Sequence, residues 1–202
     1  MRSLAALKVD ASGSPLGGRP ELFDAVIPPG GVGAELGVYK GRLSRWIMKF
    51  NRPQVLHLVD PWFGRFDSWT WAEGDASPSR ALGTILMAMA HHVDSGRVRI
   101  HIQDDLDFLG SPAADGLDWV YVDTTHQFEH TRHELLLASK KVRHGGIIAG
   151  GDLVDDPSHP HFGVNQAVEE FLAGDKTWEM VYREGPDWAL QKSLEAEPEP
   201  IE

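Results

Sequence analysis

The sequence predicts an α/β protein built on a doubly wound, mostly parallel sheet with helices on both faces, closed by an antiparallel C-terminal hairpin. Three observations predict it. Short apolar runs alternate five times with segments of helical periodicity, an order that gives parallel strands joined by crossover helices. Several of those runs end on an acid, with Asp60, Asp123 and Asp152 at or just beyond the strand ends, where open parallel sheets bind ligands. The last two runs, 178–183 and 187–192, are separated only by Glu184-Gly185-Pro186, which reads as a hairpin turn.

Taken in order, residues 1–20 are rich in small residues and glycine and are expected to form a loosely ordered arm, with the folded domain spanning 21–193. A short helix over 21–27 stops at Pro28-Pro29-Gly30-Gly31. Val32, Ala34, Leu36 and Val38 form the first strand and its exit, broken by Gly37, with Gly41 opening a helix whose apolar face is Leu43, Trp46, Ile47 and Phe50. Gln54 to Val59 is a second buried strand. The loop after it is crowded with rings, Trp62, Phe63, Phe66, Trp69 and Trp71, and suits either a substrate wall or a loop folded on its own side chains.

Ser77-Pro78 is a cap followed by proline at the first helical position, and the helix runs through Leu82, Ile85, Leu86, Met89 and Val93 to Gly96. Arg97 to Gln103 alternates apolar and polar, the signature of an edge strand with one wet face. Asp118 to Asp123 is a further strand, again ending on an acid. Thr124-Thr125-His126-Gln127 has capping-box spacing for the following helix, whose last turn carries Lys140, Lys141 and Arg143. Ile147-Ile148-Ala149 is the fifth strand. Val164, Ala167, Val168, Phe171 and Leu172 stripe the last helix, and 194–202, with four acids and two prolines from Glu195 on, reads as a disordered acidic tail.

Composition narrows the function. A chain of 202 residues fits one domain, and no apolar run approaches the ~20 residues a membrane span requires. The net charge of −11 with scattered basic residues argues against a nucleic-acid partner. Absence of cysteine removes disulfides, thiolate metal sites and cysteine nucleophiles, and with no signal-peptide pattern in Met1 to Asp10 the expected location is cytoplasmic.

Glu35, Asp60, Asp104, Asp123 and Asp152 all fall at or near strand ends, and five acids on one rim repel each other unless a cationic or hydroxyl-rich ligand sits among them. Adenosine carrying a sulfonium and an ammonium, as in S-adenosylmethionine, has that chemistry. A dinucleotide is the competitor. It needs Gly-x-Gly-x-x-Gly at the first turn, but counting from Gly31 and Gly33 the third position is Leu36.

Six segments carry a family resemblance: Glu-Leu-Gly-Val-Tyr-Lys-Gly at 35–41, His-Leu-Val-Asp-Pro-Trp at 57–62, Asp-Trp-Val-Tyr-Val-Asp-Thr-Thr-His at 118–126, Gly-Gly-Ile-Ile-Ala-Gly-Gly-Asp at 145–152, Val-Asn-Gln-Ala-Val-Glu-Glu-Phe at 164–171, and the closing Trp188 to Lys192. In this order they resemble the class I S-adenosylmethionine-dependent methyltransferases, in particular the small bacterial group with macrolide and sugar O-methyltransferases. The resemblance implies a seven-stranded sheet with the third strand at its edge. It also implies cofactor contacts from Glu35 and Gly37 at the methionine end, Asp60 at the ribose, and Asp104 with Asp105 at the adenine, with Tyr39, Trp62 and Asp123 completing the set. Asp123 and His126 would face the methyl group as the catalytic pair, His126 being the general base by virtue of an ordinary pKa of about 6.5.

Metal-dependent members hold Mg2+ through acids matching Asp123 and Asp152 plus one more ligand. Here Gly151 stands where relatives often have His or Asp, so Asp155 or Asp156 would have to compensate. His159 and His161 flank a proline and could approach the same rim, with a surface loop as their expected home, and His91, His92, His130 and His133 are expected on solvated helix faces. The implied activity is methyl transfer to oxygen, or less readily nitrogen, of a small-molecule acceptor. The acceptor pocket would come from the aromatic loop, the 153–162 loop or a neighbouring subunit of a homo-oligomer. The alternatives are a cofactor-binding regulatory protein without catalysis and an NAD-linked enzyme of similar architecture.

Overall fold

The computed structural model describes residues 16–63 and 77–194. Most of the aromatic loop, including Phe66, Trp69 and Trp71, lies outside the described residues, as do the arm up to residue 15 and the tail from 195. The elements follow as α1 (Arg19–Val26), β1 (Val32–Leu36), α2 (Arg42–Phe50), β2 (Val55–Val59), α3 (Pro78–Asp94), β3 (Val98–His101), α4 (Asp105–Gly110), β4 (Leu117–Val122), α5 (Phe128–Lys141), β5 (Val142–Gly150), α6 (Phe162–Gly174), β6 (Trp178–Glu184) and β7 (Asp187–Lys192).

The seven strands are ordered β3-β2-β1-β4-β5-β7-β6. The first five pair in parallel and β7 runs antiparallel to both β5 and β6, so the expected architecture, hairpin included, is the observed one. The strand with alternating polarity, β3, is indeed the edge. Strand order reverses between β1 and β4, and that switch point opens the crevice where such sheets receive ligands.

Period-two alternation divides the core between the two faces. From β4, Trp119 and Tyr121 pack with α1, α2 and α3, around Phe23, Trp46, Ile47 and Ile85. Val120 and Val122 point the other way, toward Phe108 of α4, Leu135 of α5 and Val164 and Val168 of α6. Phe23 anchors α1 by meeting Trp46, Trp119 and Tyr121 at ring separations of 5.7, 5.4 and 5.7 Å. Burying a side chain of this size stabilises the fold by roughly 1.5–3 kcal/mol.

Local signals had mixed outcomes. Ser77 caps α3 as expected, accepting from the Arg80 amide. The capping box at 124–127 does not form: α5 starts at Phe128, its N-cap Gln127 makes no side-chain cap bond, and Thr124 donates instead to Glu134 at 2.7 Å. A buried carboxyl needed that hydroxyl more than the helix end did. The first helix begins at Arg19, inside the stretch expected to be arm, and Leu16 ahead of it is fully buried.

Candidate active site

The turn after β1 is shaped by close approach. Gly37 has φ +84°, and a Cβ there would lie 1.8 Å from the Asp123 carbonyl oxygen, so only glycine lets β1 leave the sheet beside the end of β4. The Gly37 amide donates to Val59 and the Asp123 amide to Leu36, both at 2.9 Å, which stitches three strand ends together. Tyr39 is left-handed at φ +53°, and Gly41, at φ +68°, opens α2.

Asp60 is the brace of this turn. Its Oδ2 accepts from the amides of Val38 and Tyr39 at 3.0 and 2.9 Å, and its Oδ1 from Trp62 at 2.7 Å. Burial pushes its pKa up against those hydrogen bonds. A carboxylate has about four acceptor sites, so one remains for a ligand hydroxyl. Trp62 is buried beneath the turn, its indole donating to the Tyr39 carbonyl, and so supports the loop from the core side.

Glu35 is buried near the end of β1, where its Oε2 accepts from the Ser44 hydroxyl at 2.5 Å. Desolvation raises its pKa to about 8. A buried carboxyl left neutral for want of a counter-charge is what a cationic ligand would ionise.

Asp104 is the N-cap of α4, accepting from Leu106 at 2.8 Å. Asp105 is turned inward, with its Oδ2 2.7 Å from His130 Nε2. Burial alone would raise its pKa, but the bonds from His130 and Glu134 outweigh it and the group is held ionised. Glu134, fully buried, is driven the other way by desolvation and by Asp105, and stays protonated. His130 is therefore a link between α4 and α5 and not part of a solvated face, a correction that turns on one buried acid. These three residues place ligand atoms within 4.8 Å of one another.

On the other side of the switch point, His126 sits before α5 with φ +60°. Its Nε2 lies 3.3 Å from Asp123 Oδ1 and 3.2 Å from Asp152 Oδ2. Burial would lower its pKa, but the two carboxylates lift it to about 9, so at neutral pH His126 carries a proton and the expected unperturbed value is corrected upward. The same contacts hold Asp152 well below the usual carboxylate range. His161, expected on the surface, stacks on His126 at 4.4 Å, and its Nδ1 is 2.8 Å from Asp152 Oδ1. His126, Asp152 and His161 likewise bring ligand atoms within 4.8 Å. Arg19 reaches across from α1, donating from Nη2 to Asp123 Oδ2 at 2.8 Å and from Nε to the Tyr121 hydroxyl at 2.9 Å.

Glu35, Asp60, Asp104, Asp123 and Asp152 thus line successive strand ends on both sides of the switch point. Asp155 is turned away, paired with Arg183, and Asp156 accepts from Ser158. Sequence reasoning missed Arg19, and it expected His161 on a surface loop although it could approach this rim, where it lies.

The sequence model of a family described as a methyltransferase domain matches residues 34–153. No curated protein matches the chain. Among solved structures, the O-methyltransferase TomG of tomaymycin synthesis from Streptomyces achromogenes, bound to S-adenosylmethionine, is 21% identical and superposes with a TM-score of 0.56 over 81% of this chain and 73% of its own. An O-methyltransferase from Bacillus cereus in complex with SAH is 14% identical, TM-score 0.60, over 94% and 86%. An rRNA methylase from Streptococcus thermophilus is 11% identical, TM-score 0.57, over 90% and 98%. At these identities the likeness is one of fold.

Proposed function

Since the chain belongs to the methyltransferase-domain family, whose members are S-adenosylmethionine-dependent enzymes, we propose that it methylates a small-molecule acceptor, on oxygen in preference to nitrogen. The observation that carries this reading is the arrangement of acids at successive strand ends around the Gly37 turn. Bound there, S-adenosylmethionine supplies a methyl group already activated by its sulfonium charge.

The residues fit such a ligand. Glu35, neutral in its pocket, gains a counter-charge from a bound ammonium or sulfonium and can ionise. Gly37 keeps side-chain bulk out of the crevice, Tyr39 continues the same turn, and Asp60 keeps an acceptor site toward a sugar hydroxyl while Trp62 holds the loop from below. Asp104, at the N-cap of α4, borders the far end, where an amine-bearing base would lie, whereas Asp105, expected beside it, is turned inward onto His130.

Transfer itself is a displacement that the protein assists by alignment, and a base matters when the acceptor is a weakly acidic hydroxyl. Asp123 and Asp152 fix the His126 ring from both sides. Once His126 has released its own proton, the two carboxylates beside its ring make it a stronger base than an ordinary histidine, and it is the residue that would take the acceptor proton.

The resemblance also brings Mg2+ into question, and the residues do not fit it. Asp123 Oδ2 is taken by Arg19, and an imidazole nitrogen occupies the seat between Asp123 and Asp152. Mg2+ requires an octahedron of oxygens. An RNA acceptor, suggested by the fold likeness to an rRNA methylase, is disfavoured by the charge of −11.

The test is a screen of hydroxylated and aminated small molecules incubated with S-adenosylmethionine, reading S-adenosylhomocysteine release. Turnover with a hydroxyl acceptor is expected. Turnover confined to RNA, or binding of nicotinamide nucleotides in place of S-adenosylmethionine, would overturn the reading.

A further inference from the structure

The acceptor side of the crevice holds a positive charge that belongs to the chain itself. Arg19 lies more than a hundred residues from its two partners in sequence, and its side chain is only 29% exposed. The backbone leading to it is pinned. Leu16 is buried, and at Gly18 a Cβ would lie 2.4 Å from Asp187 Oδ2, so the chain passes flat against Asp187 just before α1. The guanidinium donates to Asp123 and to the Tyr121 hydroxyl, and the Asp187 and Glu35 carboxyls also lie within reach of its charge.

Gly151 completes the arrangement. A Cβ there would stand 3.7 Å from Arg19 Nη2, 3.5 Å from the Tyr121 hydroxyl and 3.8 Å from Asp187 Oδ1. A methyl group fits, but an acid or imidazole at this position would be driven into the space the guanidinium uses. The missing side chain at 151 and the arginine at 19 are complementary.

We propose that Arg19 is the built-in cation of the acceptor site, a positioning residue that takes at Asp123 the place of a divalent metal. The proposal deepens the methyltransferase reading and rests on it for the meaning of the site. A guanidinium is permanently charged, presents a planar fork and cannot be lost to a chelator. With Oδ2 of Asp123 held by Nη2, Oδ1 is left facing His126, so Arg19 sets the carboxylate plane that in turn sets the imidazole. Mg2+ is disfavoured because Asp123 already has a cation on Oδ2 and both Asp123 and Asp152 face the His126 imidazole.

The experiment is calorimetric titration of Mg2+ into the full chain, wild type against Arg19→Ala, Arg19→Gln and Arg19→Lys, with S-adenosylhomocysteine titrated into the same samples. Wild type and Arg19→Lys are expected to give no saturable Mg2+ heat at millimolar concentrations. Arg19→Ala is expected to bind Mg2+ at least about tenfold more tightly than wild type, and adding Asp123→Asn is expected to abolish that gain. Arg19→Gln, which keeps a hydrogen-bond donor without the charge, should behave like Arg19→Ala and serves if the alanine variant does not fold. Mg2+ binding by the wild type as tight as by Arg19→Ala would overturn the proposal, and so would uncharged variants that ignore Mg2+ as the wild type does. Failure to bind S-adenosylhomocysteine would instead sink the cofactor reading and leave the Mg2+ comparison standing.

Discussion

His126 is the side chain on which the proposed proton transfer depends. Held between Asp123 and Asp152, it titrates near 9 instead of near 6.5. A base with that pKa is mostly blocked at neutral pH and becomes available as pH rises, so kcat should climb through about pH 9 and not level off above 7. Replacing Asp152 by Asn removes one of the two carboxylates and should move the midpoint toward neutrality, while His126→Ala should lower kcat by roughly 10²–10⁴-fold. A pH–rate profile for the three proteins checks this, and a profile flat from pH 6 to 10 would remove His126 from the proton's path. Glu35 makes the same point with the opposite charge: one hydroxyl cannot offset the burial of a carboxylate, which is why it stays neutral until a cation arrives.

Among the elements, the β1–α2 turn bears the tightest steric constraint. Gly37 combines a left-handed φ with a neighbour that is backbone, not a yielding side chain, since a Cβ would fall 1.8 Å from the Asp123 carbonyl oxygen. Gly37→Ala must therefore push the ends of β1 and β4 apart. It should cost at least about 1–3 kcal/mol in a denaturant titration and weaken S-adenosylhomocysteine binding more than it weakens the fold. Gly83→Ala, on α3 with open space around it, is the matched control and should be neutral or slightly stabilising. Equal effects from the two would mean that the turn is not under constraint.

At this scale the sequence was most informative. Period-two and period-3.6 patterns record which face of each element is dry, and that is decided within a dozen residues. The alternation in 97–103 placed β3 at the edge because a strand with one neighbour and a wet face cannot be apolar throughout. The failures came where a side chain's partner lies far along the chain. Thr124 looked like a cap until Glu134, buried ten residues on, required its hydroxyl. His130 looked solvated until α4 brought Asp105 against it. Arg19 and Tyr121 are 102 residues apart, and nothing local to either announces the other.

Across the whole molecule, parallel topology does the gathering. Each strand of the parallel core delivers its end to one side of the sheet, so acids scattered over more than a hundred residues of sequence converge without any motif that spans them. The same geometry explains what was legible: the acids expected at strand ends follow from the alternation of strands and helices, whereas His161 reaches the rim on a loop and Arg19 from the start of α1, places that strand counting does not address. The central claim is that this rim encloses an adenosyl group with a positive charge beside it. A crystal structure of the chain with S-adenosylhomocysteine tests it most directly. The account predicts the nucleoside in the crevice beside Gly37, with its ribose hydroxyls at Asp60 and its amino-acid end toward Glu35. A nucleoside seated elsewhere on the molecule, or one whose ribose stands clear of Asp60, would contradict it.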